Sequence, residues 1–159
     1  MIELSSRKIH VAGITSEPDS SFMMQVGRNL TDPLDGFVLG KRFLILVHDT
    51  KLTAEFRNLI EDAGTDVIRL PYRSPNLNAY VERFVLSIKS ECLDRMIFFD
   101  EQSLRRAVAE FISHYHAERN HQGLGNELIE ADDCVGGHGS VLCRGRLGGL
   151  FNYYHREAA

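Results

Sequence analysis

Residues 43–47, Phe-Leu-Ile-Leu-Val, are an unbroken apolar run that stops abruptly at His48-Asp49. A run this short and this sharply bounded suits a strand buried on both faces, as in sheets covered by helices. The neighbouring residues fit such a strand. Thr53 offers a capping hydroxyl, and Phe56, Leu59, Ile60 and Ala63 recur on one helical face until Gly64 stops the helix. Val67, Ile68 and Leu70 then form a further short strand before Pro71. Strand, helix and strand in succession are the unit from which α/β domains are built, and a mixed sheet is expected.

The flanking segments extend the pattern. Ile2 and Leu4 alternate with polar neighbours, Ser5-Ser6-Arg7-Lys8 supplies a turn, and Ile9, Val11 and Ile14 continue beyond it, which predicts a hairpin. Ser20 or Ser21 caps a predicted helix on which Phe22, Val26 and Leu30 fall four apart, ended by Asp32-Pro33. Ser74-Pro75 is a helix start with proline at its first position, and Leu77, Tyr80, Val81, Phe84, Val85 and Ile88 keep helical spacing after it. A last helix is predicted from about Ser103 to Tyr115, with Leu104, Val108, Phe111, Ile112 and Tyr115 inward. After Arg119 the chain turns glycine-rich and loses its period, which predicts an irregular tail packed through Leu150, Phe151, Tyr153 and Tyr154.

Composition removes several classes. With 159 residues, 43% of them hydrophobic and 25% charged, the chain has one domain's length and enough apolar residues for a core. No window approaches eighteen consecutive apolar residues, so no membrane span is expected. Met1-Ile2-Glu3-Leu4 carries an acid where a secretory apolar region would lie, so the expected location is cytoplasmic. The three cysteines are too few and too odd in number for a disulfide framework. Cys134 and Cys143 bracket His138, but the spacing matches no common zinc pattern and a fourth ligand is not evident, so free thiols are expected. A net charge of −4 predicts no bulk attraction to nucleic acid, yet leaves room for a local basic surface.

Asp49 is the first candidate for chemistry. It directly follows a strand, and ligands of open α/β sheets gather beyond strand carboxyl ends; the plain alternative is that it opens the turn before the next helix. Glu82 is the second. It is displaced by one residue from an apolar stripe, which puts it at the border of core and water, and Lys89 two turns later projects from nearly the same face. A carboxylate and an ammonium along one helix edge suit a divalent metal and a phosphate, although charges on a solvated face are also common.

These residues resemble a known family. His48-Asp49-Thr50-Lys51-Leu52-Thr53-Ala54-Glu55-Phe56 looks like the second catalytic block of DDE transposases and retroviral-type integrases. Ser74-Pro75-Asn76-Leu77-Asn78-Ala79-Tyr80-Val81-Glu82-Arg83-Phe84 resembles their third block, with Lys89 where many members place a DNA-contacting lysine. His114-Tyr115-His116-Ala117-Glu118-Arg119-Asn120-His121-Gln122-Gly123-Leu124 is similar to the segment that closes these domains in bacterial insertion-sequence transposases. The resemblance implies an RNase-H-like, retroviral-integrase-type α/β fold, a mixed sheet flanked by helices, over residues 1–126, with 127–159 as a C-terminal tail. It implies metal-dependent phosphodiester cleavage and strand transfer in DNA integration and recombination, with two Mg²⁺ (or Mn²⁺) ions held by carboxylates. Asp49 and Glu82 would be two of the three ligands; Lys89 would contact the DNA backbone, and Asn76, Asn78, Arg73 and Arg83 would line the DNA surface. Asn76 and Asn78 also read plainly as turn or first-turn residues.

One departure matters. The family's first aspartate lies on the first, central strand, and Ile2 to Ile14 reads as the second and third strands, so that strand and its aspartate are expected upstream of Met1. Glu3, Asp19, Asp32 and Asp35 do not stand where the pattern needs a ligand. The expectation is therefore an N-terminally truncated catalytic core that is inactive by itself and associates with further copies or with a full-length transposase. The alternative is a non-catalytic DNA-binding or regulatory fragment, with Arg69, Arg73, Arg83, Lys89 and Arg95 as its basic surface. An RNase-H-like nuclease shares fold and metals, but the Asp49 and Glu82 blocks favour the transposase branch.

Overall fold

Capping decides where each helix begins. In the computed structural model, which describes residues 1–71, 78–130 and 139–157, Asp19 accepts the Phe22 N–H at 2.7 Å and starts α1 (Ser20–Leu30). The expected caps Ser20 and Ser21 thus lie inside the helix, because the carboxylate before them reaches the same free amide. Thr53 caps α2 (Ala54–Asp62) as expected, accepting the Phe56 N–H. Asp100, not a residue near Ser103, starts α4 (Glu101–Ala117), and Ser103 returns a bond to it in a reciprocal capping box. The start of α3 (Ala79–Glu91) expected at Ser74-Pro75 lies outside the described residues.

The chain divides into two compact units, Met1 with His10–Ala79, and Ile2–Ile9 with Tyr80–Ala159. In the first, β1 (Phe43–Leu46) pairs in parallel with β2 (Asp66–Arg69), Leu44 opposite Val67 and Ile45 opposite Ile68. Leu44, Leu46 and Val67 face a core of Val26, Leu30, Val38, Phe56 and Ile60 supplied largely by α1 and α2. Gly27 lets these two helices approach: a Cβ there would meet Leu59 Cδ2 at 2.8 Å. The buried Thr65 hydroxyl donates to the Lys41 carbonyl at 2.9 Å and ties the start of β2 to the entry of β1.

The strand expected to be buried on both faces is buried on one. Phe43, Ile45, Val47 and Ile68 remain 42–47% exposed, because within this unit α1 and α2 cover only the opposite side of the pair. The predicted N-terminal hairpin contracts to a single antiparallel bridge between Ile2 and Ile9. Its turn closes through Glu3 N–H to Lys8 C=O and Arg7 N–H to Glu3 C=O, and no ladder continues along 10–14. Parallel and antiparallel pairing occur, in two separate two-stranded sheets.

The second unit is organised by α4. Ala107, Val108, Phe111 and Tyr115 are buried, and Phe84, Ile88 and Cys92 from α3 and its continuation share that core. The residues expected to form an irregular tail instead make an antiparallel hairpin, β3 (Val141–Arg146) and β4 (Phe151–Arg156), Cys143 opposite Tyr154. Leu147, Gly148 and Gly149 take positive φ at its turn, which glycine does at no steric cost. Phe151 reaches α4, 5.6 Å from the Phe111 ring and stacked on His114 at 4.7 Å. Among the described residues no helix is long and apolar enough to cross a membrane.

The His114–His121 stretch wires this unit together. His114 Nδ1 meets Glu118 at 3.0 Å, Arg119 pairs with Glu91 at 2.6 Å, and His121 Nε2 bonds the Tyr115 carbonyl at 2.7 Å. His116 Nε2 accepts the buried Ile9 N–H at 2.9 Å, which requires that nitrogen to carry no proton. Burial holds the His116 pKa below the usual imidazole range; Glu130 opposes that shift, and Lys8 and His121 add to it. The unfolded chain therefore takes up a proton near pH 6.5 that the native state refuses, and stability falls as pH drops through 6.5 toward the lower native value. The expected result is a thermal midpoint that declines from pH 7 to 5.5, with a lower protection factor at the Ile9 amide once the intrinsic pH dependence of exchange is divided out. A His116→Gln variant, whose side-chain oxygen still accepts, should show a flatter dependence; an unchanged slope would remove His116 as the cause.

Candidate functional site

The carboxyl ends of the parallel strands carry His48-Asp49 and Arg69. The ladder extends one step past the strands, Leu70 N–H to Leu46 C=O at 3.0 Å, and beyond it His48 Nδ1 and Arg69 Nη2 lie 3.0 Å apart. The exposed Asp49 performs the plain role that its position allowed: Oδ1 accepts the Lys51 N–H at 2.9 Å, and its carbonyl accepts the Leu52 N–H. This turn delivers the chain to the Thr53 cap. Only one carboxylate oxygen takes part in this turn, which fixes the group at the strand end.

Glu82 stands in the first turn of α3 and is exposed, as are Arg83 and Lys89. The buried stripe of this helix is narrow, Phe84 and Ile88, so Glu82 lies in solvent and not at the expected border with the core. Val85 and Tyr80, expected inward, are 41% and 49% exposed for the same reason. Seven residues turn a helix almost twice, so Lys89 projects from nearly the same face as Glu82, about 10 Å along the axis. Among the described residues neither Glu82 nor Lys89 has an ion-pair partner. Asn78 is half-buried just before α3, while Arg73 and Asn76 fall outside the described residues.

Asp49 and Asn78 belong to the first unit, and Glu82, Arg83 and Lys89 to the second. Among the described residues no group of three His, Cys, Asp or Glu side chains is gathered as a metal site. The two candidate carboxylates are oxygen donors of the kind Mg²⁺ and Mn²⁺ prefer. Cys143 is a free, exposed thiol on β3; its expected bracket partners Cys134 and His138 lie outside the described residues. The His48–Arg69 contact was not anticipated from the sequence, although the adjacency of His48 to a candidate ligand was the signal available. It ties the end of β2 to the residue that precedes Asp49.

Comparison with known proteins adds one match. Residues 64–127 fit the family model described as Integrase core domain. That span begins just before β2, contains α3 and α4, and includes Glu82, Arg83 and Lys89; Asp49 lies ahead of it. No curated protein and no solved structure gives a match.

Proposed function

With residues 64–127 an integrase core segment, we propose that this chain acts on DNA as a transposase- or integrase-type catalytic core in DNA integration and recombination. The observation that carries the reading is the alignment of exposed Glu82 and Lys89 on α3 inside the matched span. Asp49 and Glu82 are the ligands assigned to a divalent ion, Mg²⁺ or Mn²⁺. When bound, such ions activate the attacking oxygen and stabilise the leaving one in phosphodiester exchange.

The chain's own groups do the positioning. The Asp49 turn presents a carboxylate at the end of β1, held by Lys51 N–H. Lys89 is a point charge for a backbone phosphate two turns along the same helix face from Glu82, and Arg83 is a second, forked donor. Arg73, Asn76 and Asn78, just before α3, complete the DNA surface in this reading. Further copies of the chain, or a full-length transposase, are its proposed protein partners. Two carboxylates hold a metal pair poorly, so the purified chain is read as performing no strand transfer by itself.

The test is a duplex-binding series with and without Mn²⁺. Asp49→Asn and Glu82→Gln should each weaken the metal-dependent part of binding about tenfold or more, as loss of a metal ligand should cost at least what loss of an outer-shell partner does. Robust Mg²⁺-dependent joining of DNA ends by the chain alone would overturn the two-carboxylate reading. Salt-sensitive binding that survives both substitutions and ignores metal would favour the other reading, a regulatory DNA-binding fragment, which the exposed Arg83 and Lys89 also suit.

A further inference from the structure

Five of the eleven Lys and Arg side chains of the second unit are paired with carboxylates among the described residues. Lys8 pairs with Glu130, Arg119 with Glu91, Arg105 with Glu101, and Arg144 and Arg146 with Glu118. Arg7 is one of the six without such a pair among the described residues, and it is the one whose guanidinium is held on an aromatic ring of α3. Its guanidinium lies over the Tyr80 ring, 3.5 Å from the centroid, and donates to the Leu4 carbonyl, with no carboxylate at ion-pair distance among the described residues. Its backbone is left-handed, φ +63, a conformation unfavourable for any residue but glycine and, less so, asparagine. The chain thus keeps an arginine where glycine would fit the turn better, and holds its side chain half-buried against an aromatic face. Strain kept at one residue is a pointer toward a use for its side chain.

Tyr80 fixes what that use is near. It is the second residue of α3, two before Glu82, and Arg83 is its i+3 neighbour on the helix surface, exposed and likewise without a described carboxylate partner. Burial raises the Tyr115 hydroxyl pKa, and the Arg7 and Arg83 charges both act against that shift. A guanidinium stacked on a ring has lost most of its rotamer freedom already and keeps its planar fork for oxygens.

We propose that Arg7, clamped on Tyr80 and acting with Arg83, is a backbone-phosphate contact of the DNA surface beside Glu82. It rests on the DNA reading above and adds a residue from a distant part of the chain that neither the sequence pattern nor the family match assigns. The left-handed turn and the Tyr80 face set its position, and with no carboxylate at ion-pair distance among the described residues its charge is left for the phosphate. Each phosphate neutralised contributes about 0.9 to the slope of log affinity against log salt concentration.

The experiment is fluorescence anisotropy of the full chain on a labelled duplex, without metal, across a potassium chloride series. Arg7→Gly relieves the backbone and removes the guanidinium, so it should leave the thermal midpoint unchanged or higher while lowering the salt slope by about 1. Arg83→Ala, which leaves the turn intact, should lower it by a similar amount, and the double variant by about 2. Arg7→Lys should retain most of the slope. If wild type binds and Arg7→Gly keeps the wild-type affinity and slope, the Arg7 assignment fails and the DNA reading stands. If wild type binds no duplex at any salt, both fall together.

Discussion

Replacing Glu118 by alanine is expected to cost about 3–5 kcal/mol and to release the C-terminal hairpin from α4. The side chain is 1% exposed, and it collects Arg146 through both Nε and Nη2 at 2.8–3.0 Å, His114 at 3.0 Å and Arg144 at 3.5 Å. Burial by itself would raise the Glu118 carboxyl; hydrogen bonds from Arg146 and His114 outweigh it and hold the group below its ordinary range. Its contribution is therefore present above the ordinary carboxylate range and lost as pH falls through the lower native value. Removing the carboxylate leaves Arg146, 17% exposed, with Glu110 as its remaining partner and a cation facing a cavity. Hydrogen exchange should report the result locally, as lost protection of the β3 and β4 amides with α1 and α2 unaffected. Unchanged protection of residues 141–156 would show that the ion pairs do not hold the hairpin.

Phe111→Ala should cost a similar amount, about 3–5 kcal/mol, by a different route. This ring is fully buried and sits among Phe84 at 6.1 Å, Tyr115 at 6.0 Å and Phe151 at 5.6 Å. Its loss opens a cavity where α3, α4 and β4 meet, and those elements are fixed by other contacts that limit collapse into the space. Denaturant unfolding should show a lower midpoint, and Phe111→Leu should recover most of the loss, since it restores much of the volume. Glu118→Ala and Phe111→Ala touch the same hairpin and should not add.

The helices were legible in the sequence because their burial repeats locally. Phe56 with Ile60, Phe84 with Ile88, and Val108 with Phe111 and Tyr115 are inward as their spacing predicts. Strand burial was not legible, since an apolar run says nothing of how many layers cover it; Phe43 and Ile45 are exposed although every residue of their run is apolar. The β3–β4 hairpin was missed for a further reason. Its residues, Val-Leu-Cys-Arg-Gly-Arg, show neither period, and what fixes them is remote: Arg146 on Glu118 and Phe151 on Phe111. At the candidate site, the positions of Asp49, Glu82 and Lys89 at a strand end and on one helix face were readable. The stacking of Arg7 on Tyr80 was not, because it joins residues 73 positions apart through a turn whose handedness the sequence Ser-Ser-Arg-Lys does not announce.

The bond from Ile9 to His116 also orders events in time. It joins residues 107 positions apart, and Lys8 reaches farther, to Glu130. Residues 2–9 therefore leave the ribosome long before the helix end that receives them, and wait unpartnered while 10–79 acquire all the chain their own core requires. A contact across so long a loop costs closure entropy before it stabilises anything, so docking of the N-terminal segment is expected late in folding. It should appear as a phase that His116→Gln and wild type share and that truncation of residues 2–9 removes. The half-life of a nascent chain with that segment still free sets the interval in which chaperones and proteases compete for it.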